Sequence, residues 1–280
     1  MNRKICCPDF AFPLMEHDKV LKLIALLGMK GIDIGLFENR SHIQPSDQYR
    51  NLKYHASELR KKTEDNGLSI SDVFVQGDKD FHRFAANHYD DKEREQSREL
   101  FLRTLEYAGE CGAQHVTALP GVHFVQESFA QSYDRCVEEQ KWRVEKAAEY
   151  NISYGCEAHI GSICADIKIA KQLCEDSGMR LTLDYSHFVR EHLMDEFADC
   201  LIPYATHFHI RGASDGVLQA AMKDNQIDFK RILSKLDDAN YTGWFCAEYC
   251  WTPEWEDCYK NDNISDIIFI KSFLSNFVLS

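Results

Sequence analysis

The chain has 280 residues, 45 acidic and 32 basic, with a formal net charge of −13 and a pI near 5.4. That charge excludes nucleic acid and anionic membrane surfaces as expected partners, because both are polyanions. Hydrophobic residues at 44% and charged residues at 28% describe an ordinary globular chain, long enough for one large domain or two small ones.

In chain order, short apolar runs at residues 5–7, 31–36, 69–75, 115–119, 152–157, 180–184, 205–210 and 243–249 read as buried strands. Each is too brief for a helix, and several are β-branched or aromatic. Between them lie amphipathic segments with apolar residues three and four apart, such as Val20-Leu21-Ile24-Leu27, Leu100-Phe101-Leu105-Ala108 and Ile167-Ala170-Leu173-Cys174. Gly28, Gly67, Gly112, Gly178 and Gly243 stand where helices give way to the next strand. Eight strands alternating with helices predict an α/β fold, a single (β/α)8 TIM barrel over residues 1–280. An open nucleotide-binding sheet would want a glycine-rich turn after the first strand, and Cys7-Pro8-Asp9-Phe10 offers none.

The 11 cysteines are odd in number, scattered, and lack any C-x-x-C pair. A structural zinc site or thioredoxin-like redox chemistry therefore has little support from spacing. The first residues reach a charge too early for a signal peptide, and no apolar run approaches a membrane span. A reduced, cytoplasmic chain is the expectation, with cysteines packed as small hydrophobes.

A barrel of this kind places its active site at the C-terminal strand ends. Glu157, Asp184, His209 and Glu248 close the fifth to eighth runs, at intervals of 27, 25 and 39 residues. Each interval is close to one strand–helix unit, the last lengthened by the loop around residues 213–224. A lone carboxylate there is usually a helix cap or an ion-pair partner. Four such residues on successive strands would instead crowd three carboxylates together, a repulsion that a divalent cation removes. An oxygen-rich set with one imidazole suits Mn2+, Mg2+ or Co2+ better than thiolate-seeking metals. In His207-x-His209, strand alternation is taken to send the two rings to opposite faces, with one toward the barrel centre and the other packed.

Leu181-Thr182-Leu183-Asp184-Tyr185-Ser186-His187, His207-Phe208-His209-Ile210-Arg211-Gly212-Ala213 and Cys246-Ala247-Glu248-Tyr249 resemble the sugar phosphate isomerase/epimerase family of xylose isomerase-like TIM barrels. The resemblance implies one divalent metal, Mn2+ first with Mg2+, Co2+ or Zn2+ as options, held by Glu157, Asp184, His209 and Glu248. It selects His209 as the ligand histidine and gives His187 a substrate contact. It implies a carbohydrate substrate and, since family members are often dimers or tetramers, a homo-oligomer. The arginine that the 3-epimerases carry six residues beyond the ligand histidine is replaced by Asp215. Arg211 is the nearby substitute for its charge, or else the partner of a carboxylate.

The implied chemistry is isomerisation or epimerisation of a sugar by proton abstraction next to a carbonyl, with Glu157 and Glu248 as acid and base. The same ligands would serve a lyase, either inosose dehydratase-like or cleaving C-glycosides of 3-oxo-glycosides. A hydrolase of the abasic-site endonuclease type is remote. Those enzymes need further histidines that residues 209–226 lack, and DNA binding would meet the negative charge. His123 and His159 are further substrate-binding candidates, ahead of Glu38 and His42. Phe10, Phe12, Trp251 and Trp255 either stack on a sugar or cap the barrel end. Cys246 and Cys250 lie in an apolar setting that should keep their thiols protonated.

Overall fold

The computed structural model describes residues 3–277. Eight of its strands close into a parallel barrel: β1 (Lys4–Pro8), β2 (Gly31–Phe37), β3 (Ser69–Gln76), β4 (His115–Ala118), β5 (Ser153–Glu157), β6 (Leu181–Asp184), β7 (Ala205–Ile210) and β10 (Trp244–Ala247). β1 closes the ring against β10. The long interval before Glu248 holds an antiparallel hairpin, β8 (Gly212–Ser214) with β9 (Val217–Ala220), followed by a short turn of helix at Met222–Asp224.

The helices form where apolar periodicity and capping chemistry agree. Asp90 caps Asp91–Cys111 by accepting from the Lys92 and Glu93 amides. Ser128 and Gln131 form a reciprocal capping box at Phe129–Glu149. Asp166 caps Ile167–Ser177, which buries Ile167, Ala170, Leu173 and Cys174 against the barrel. Gly112 and Gly178 end their helices at φ of 84° and 77°, a left-handed conformation that residues with a Cβ adopt only with strain. Gly243 differs from that expectation. The left-handed residue after Phe229–Asp238 is Asn240, with φ of 55°. A Cβ on Gly243 would stand 2.5 Å from the Thr206 carbonyl oxygen, so the glycine serves a close approach between chains of backbone.

One large apolar core fills the space between strands and helices, with Leu21, Ile24, Leu105, Leu173 and Leu233 among its buried members. The barrel interior itself is unusually polar. Asp33, Ser71, Asp72, His115, Thr117, Thr182 and His207 are all buried, where barrels of this type usually stack branched apolar side chains. Both rings of His207-x-His209 point into that interior, which corrects the expectation that they would part. Alternation has a period of two, so residues i and i+2 share a face. His207 lies one step deeper and bonds Asp33, while His209 reaches Glu157 at the rim. No helix among the described residues is long and apolar enough to cross a membrane.

Candidate metal centre

Strand register assembles the site. Asp184 is the direct β6 partner of His209 on β7. Glu248 follows β10 immediately and donates its amide to the Ile210 carbonyl, so it sits beside the end of β7. Glu157 ends β5. One ligand atom from each of these four residues lies within 4.8 Å of all the others, and all four residues are buried.

The electrostatics are those of a site short of positive charge. His209 Nδ1 donates to Glu157 Oε1 at 2.9 Å and stands 3.3 Å from Glu248 Oε2. Burial, then the neighbouring Glu248, pushes the Glu157 carboxyl up to about 7. The Glu248 Oε2 atom is buried without a hydrogen-bond partner among the described residues. Asp184 goes the other way: Arg211 leads the influences that overcome burial and bring it down to about 2. A carboxylate oxygen without a hydrogen bond, three convergent carboxylates and one imidazole fit a hard or borderline divalent cation.

Arg211 is fully committed to this cluster. Its Nη2 donates to Asp184 Oδ2 at 2.7 Å and stands 3.5 Å from Glu248 Oε2, while Nε donates to Ser186 Oγ at 2.9 Å. Of the two roles weighed for it, the geometry supports the partner of carboxylates. Asp215 turns outward instead and pairs with the exposed His192. His187 is buried at the cluster's edge, with its Nε2 3.8 Å from Glu157 Oε2 and 3.7 Å from Asp184 Oδ2. Its Nδ1 accepts from the Ile160 amide at 3.3 Å, which anchors the ring.

The cluster forms the floor of a cleft of about 1230 Å³ that Glu157, His159, His187, Arg211 and Glu248 all line. His159 Nδ1 donates to the Ile160 carbonyl at 2.7 Å, leaving a buried Nε2 without a partner among the described residues. Burial brings His159 down to about 4, so its free nitrogen is an acceptor at neutral pH. His123 is not brought into the cleft. It is exposed, 3.3 Å from Ser132 Oγ and edge-on to Phe129. Its loop doubles back to cap the next helix, and that turn carries the ring outward. His42 bonds the Met15 carbonyl and stacks on His17, while Glu38 accepts from Ser46.

Trp251 and Trp255 line the upper cleft with Phe10, whereas Phe12 packs into the main core. Sequence reasoning missed Phe81, whose ring lies 4.6 Å from that of His159 and 5.2 Å from that of Trp255. Its position in the loop after β3, on the same rim as the other strand ends, was the available signal. Cys246 and Cys250 keep their protons, since burial pushes both thiols well up.

A sequence profile described as the xylose isomerase-like TIM barrel matches residues 21–264. The chain belongs to that family. Among curated proteins, no sequence matches it. Among solved structures, L-ribulose 3-epimerase superposes with a TM-score of 0.75 at 14% identity, covering 97% of this chain and 93% of that one. The probable 3-DHS dehydratase of petrobactin synthesis from Bacillus anthracis gives 0.73 at 12% identity, covering 98% and 100%. A xylose isomerase-like TIM barrel protein from Mycobacterium smegmatis, in complex with magnesium, gives 0.70 at 17% identity and 96% of both chains. At these identities the likeness is one of fold. The four clustered residues of this xylose isomerase-like barrel all lie inside the matched span.

Proposed function

We propose that the chain is a divalent-metal-dependent sugar isomerase or epimerase that works by proton abstraction next to a carbonyl. The observation that carries this reading is the convergence of Glu157, Asp184, His209 and Glu248, one ligand atom from each within 4.8 Å of the others, with both glutamates lining an open cleft. A bound divalent cation held by Glu157, Asp184, His209 and Glu248 would polarise a substrate carbonyl and acidify the adjacent C–H. Mn2+ is the first expectation for such an oxygen-rich set, with Mg2+, Co2+ or Zn2+ as options.

Glu157 and Glu248 are the base and acid of the proposal. Glu157 accepts from His209 through Oε1, which leaves Oε2 for a substrate proton. Coordination to the cation would lower its proton affinity, so what suits it to the role is placement: it lines the cleft with one oxygen free for the substrate. Asp184 and Arg211 form a buried ion pair beside the glutamates. His187 and His159 offer polar contacts to substrate hydroxyls, and Trp251, Trp255 and Phe81 offer apolar faces to a sugar ring. The cleft, at about 1230 Å³, has room for a sugar above the cluster. The soluble partner is a small carbohydrate, and the residues proposed for chemistry come from one chain.

A lyase reading shares the first step. Position 215, where the 3-epimerases would carry an arginine, is an aspartate paired with the exposed His192, and Arg211 is already paired with Asp184, so the cation expected of a 3-epimerase is missing. The deciding experiment is metal analysis of the purified protein followed by NMR of ketoses, inososes and 3-oxo-glycosides in deuterated water. Deuterium at the carbon next to the carbonyl with a new epimer supports the proposal. Exchange accompanied by loss of water or of an aglycone supports the lyase. The absence of exchange in all three classes overturns both.

A further inference from the structure

Beneath the rim cluster, and separate from it, lies a second group of metal-competent side chains. Cys6 on β1, Asp33 on β2, His207 on β7 and Cys246 on β10 each offer one ligand atom, all within 4.8 Å of one another and all buried. Tetrahedral zinc, with bonds of about 2.0–2.3 Å, sets its ligand atoms roughly 3.3–3.8 Å apart, so small side-chain adjustments reach that geometry. Cys6 and Cys246 are direct register partners across β1 and β10. His207 Nε2 lies 2.7 Å from Asp33 Oδ2. Two sulfurs, one imidazole and one carboxylate form a thiophilic donor set, unlike the sulfur-free rim cluster.

The surroundings are built to hold that set. Asp33 is fixed by the Ser71 hydroxyl, which donates to its Oδ1 at 2.6 Å. The His207 ring stacks on that of His115 at 5.2 Å, and His115 is itself tied to Asp72 and Thr206. The site also touches the rim. His209 Nε2 is buried without a hydrogen-bond partner among the described residues and faces Asp33 Oδ2 at 3.8 Å.

We propose that Cys6, Asp33, His207 and Cys246 form a second, structural site for a thiophilic divalent cation of the zinc class inside the barrel. Binding releases the two thiol protons and the proton that Asp33 holds on the His207 imidazole to solvent, and replaces the Asp33–His207 contact with two bonds to the cation. Its role is to tie β1, β2, β7 and β10 together where the barrel closes, below the catalytic floor.

The test is a Co2+ titration of the metal-stripped full chain under a non-thiol reductant, followed by absorption. A near-ultraviolet sulfur-to-cobalt band is expected, saturating by two equivalents in the wild type, where the rim cluster also takes cobalt, and by one where the rim cluster is disabled. It should persist in the His209→Ala variant, which disables the rim cluster, and vanish in Cys6→Ser/Cys246→Ser. X-ray absorption of the zinc-loaded wild type supplies a readout that needs no variant: sulfur scatterers at about 2.3 Å are expected. A wild-type protein without the band and without sulfur around zinc overturns the proposal. So does a band that survives in the double variant. Neither result bears on the deuterium exchange that tests the rim site, so the two readings fail separately.

Discussion

Replacing Arg211 with leucine removes the one cation that two buried carboxylates share in this structure. The guanidinium lies 2.7 Å from Asp184 Oδ2 and 3.5 Å from Glu248 Oε2, and the side chains of all three residues are at most 3% exposed. At an effective dielectric of about 20, those separations correspond to roughly 6 and 5 kcal/mol of gross attraction, part of which the guanidinium loses to its own desolvation. Leaving buried carboxylates uncompensated typically costs about 3–5 kcal/mol. For a chain of this size that is a fall in Tm of about 6–10 °C. A divalent cation supplies the missing charge, so the gap between wild type and Arg211→Leu should at least halve when saturating Mn2+ replaces a chelator. Circular-dichroism melts at one scan rate, with and without metal, measure both quantities. A chelated variant that melts within 2 °C of wild type, or a gap that metal leaves unchanged, would refute the view of Arg211 as an internal counter-charge.

The other expectations concern charge, packing and the cleft. Glu157 holds its proton up to about 7 in the metal-free fold, above its ordinary 4.5. The folded state therefore binds more protons than the unfolded chain between those values, and this group's contribution to stability falls as pH rises through that window. Because the cation needs the carboxylate, Mn2+ affinity by calorimetry should rise over the same window and level off above it. Glu157→Gln and Glu248→Gln should each abolish deuterium exchange, while Asp184→Asn and His209→Ala should weaken Mn2+ binding at least tenfold. Full exchange by Glu157→Gln would dismiss its role as base. Gly155→Ala should cost about 1–3 kcal/mol in urea unfolding, since the added Cβ would meet the Thr182 amide nitrogen at 2.8 Å between β5 and β6. Trp255→Ala should raise KM for a turned-over sugar and leave the melting temperature within a degree of wild type, because Trp255 packs on Phe81 above the cleft rather than in the core.

Much of the barrel was legible because its signals are local. Eight short apolar runs, amphipathic helices between them, and three carboxylates and a histidine near the ends of the last four runs all survive in the structure, with Glu157, Asp184, His209 and Glu248 drawn to one point. A run's end is encoded where hydrophobicity stops, so a strand-end residue can be found without knowing its neighbours. His123 follows its strand as His159 does, yet one ring is exposed on the outer edge of a loop and the other lines the cleft. Loop direction depends on what the loop packs against, here the Ser132 turn, and spacing does not encode that.

What the sequence by itself determined is the alternation of strand and helix and the chemistry at the strand ends, because both follow from short-range periodicity. The tertiary structure decided which side chains meet. Arg211 spends its charge on Asp184 and Glu248 because β6, β7 and β10 lie side by side at the rim. Cys6 and Cys246 stand 240 positions apart, which hides them from any spacing rule for metal ligands. They become neighbours because closing the barrel pairs its first strand with its last.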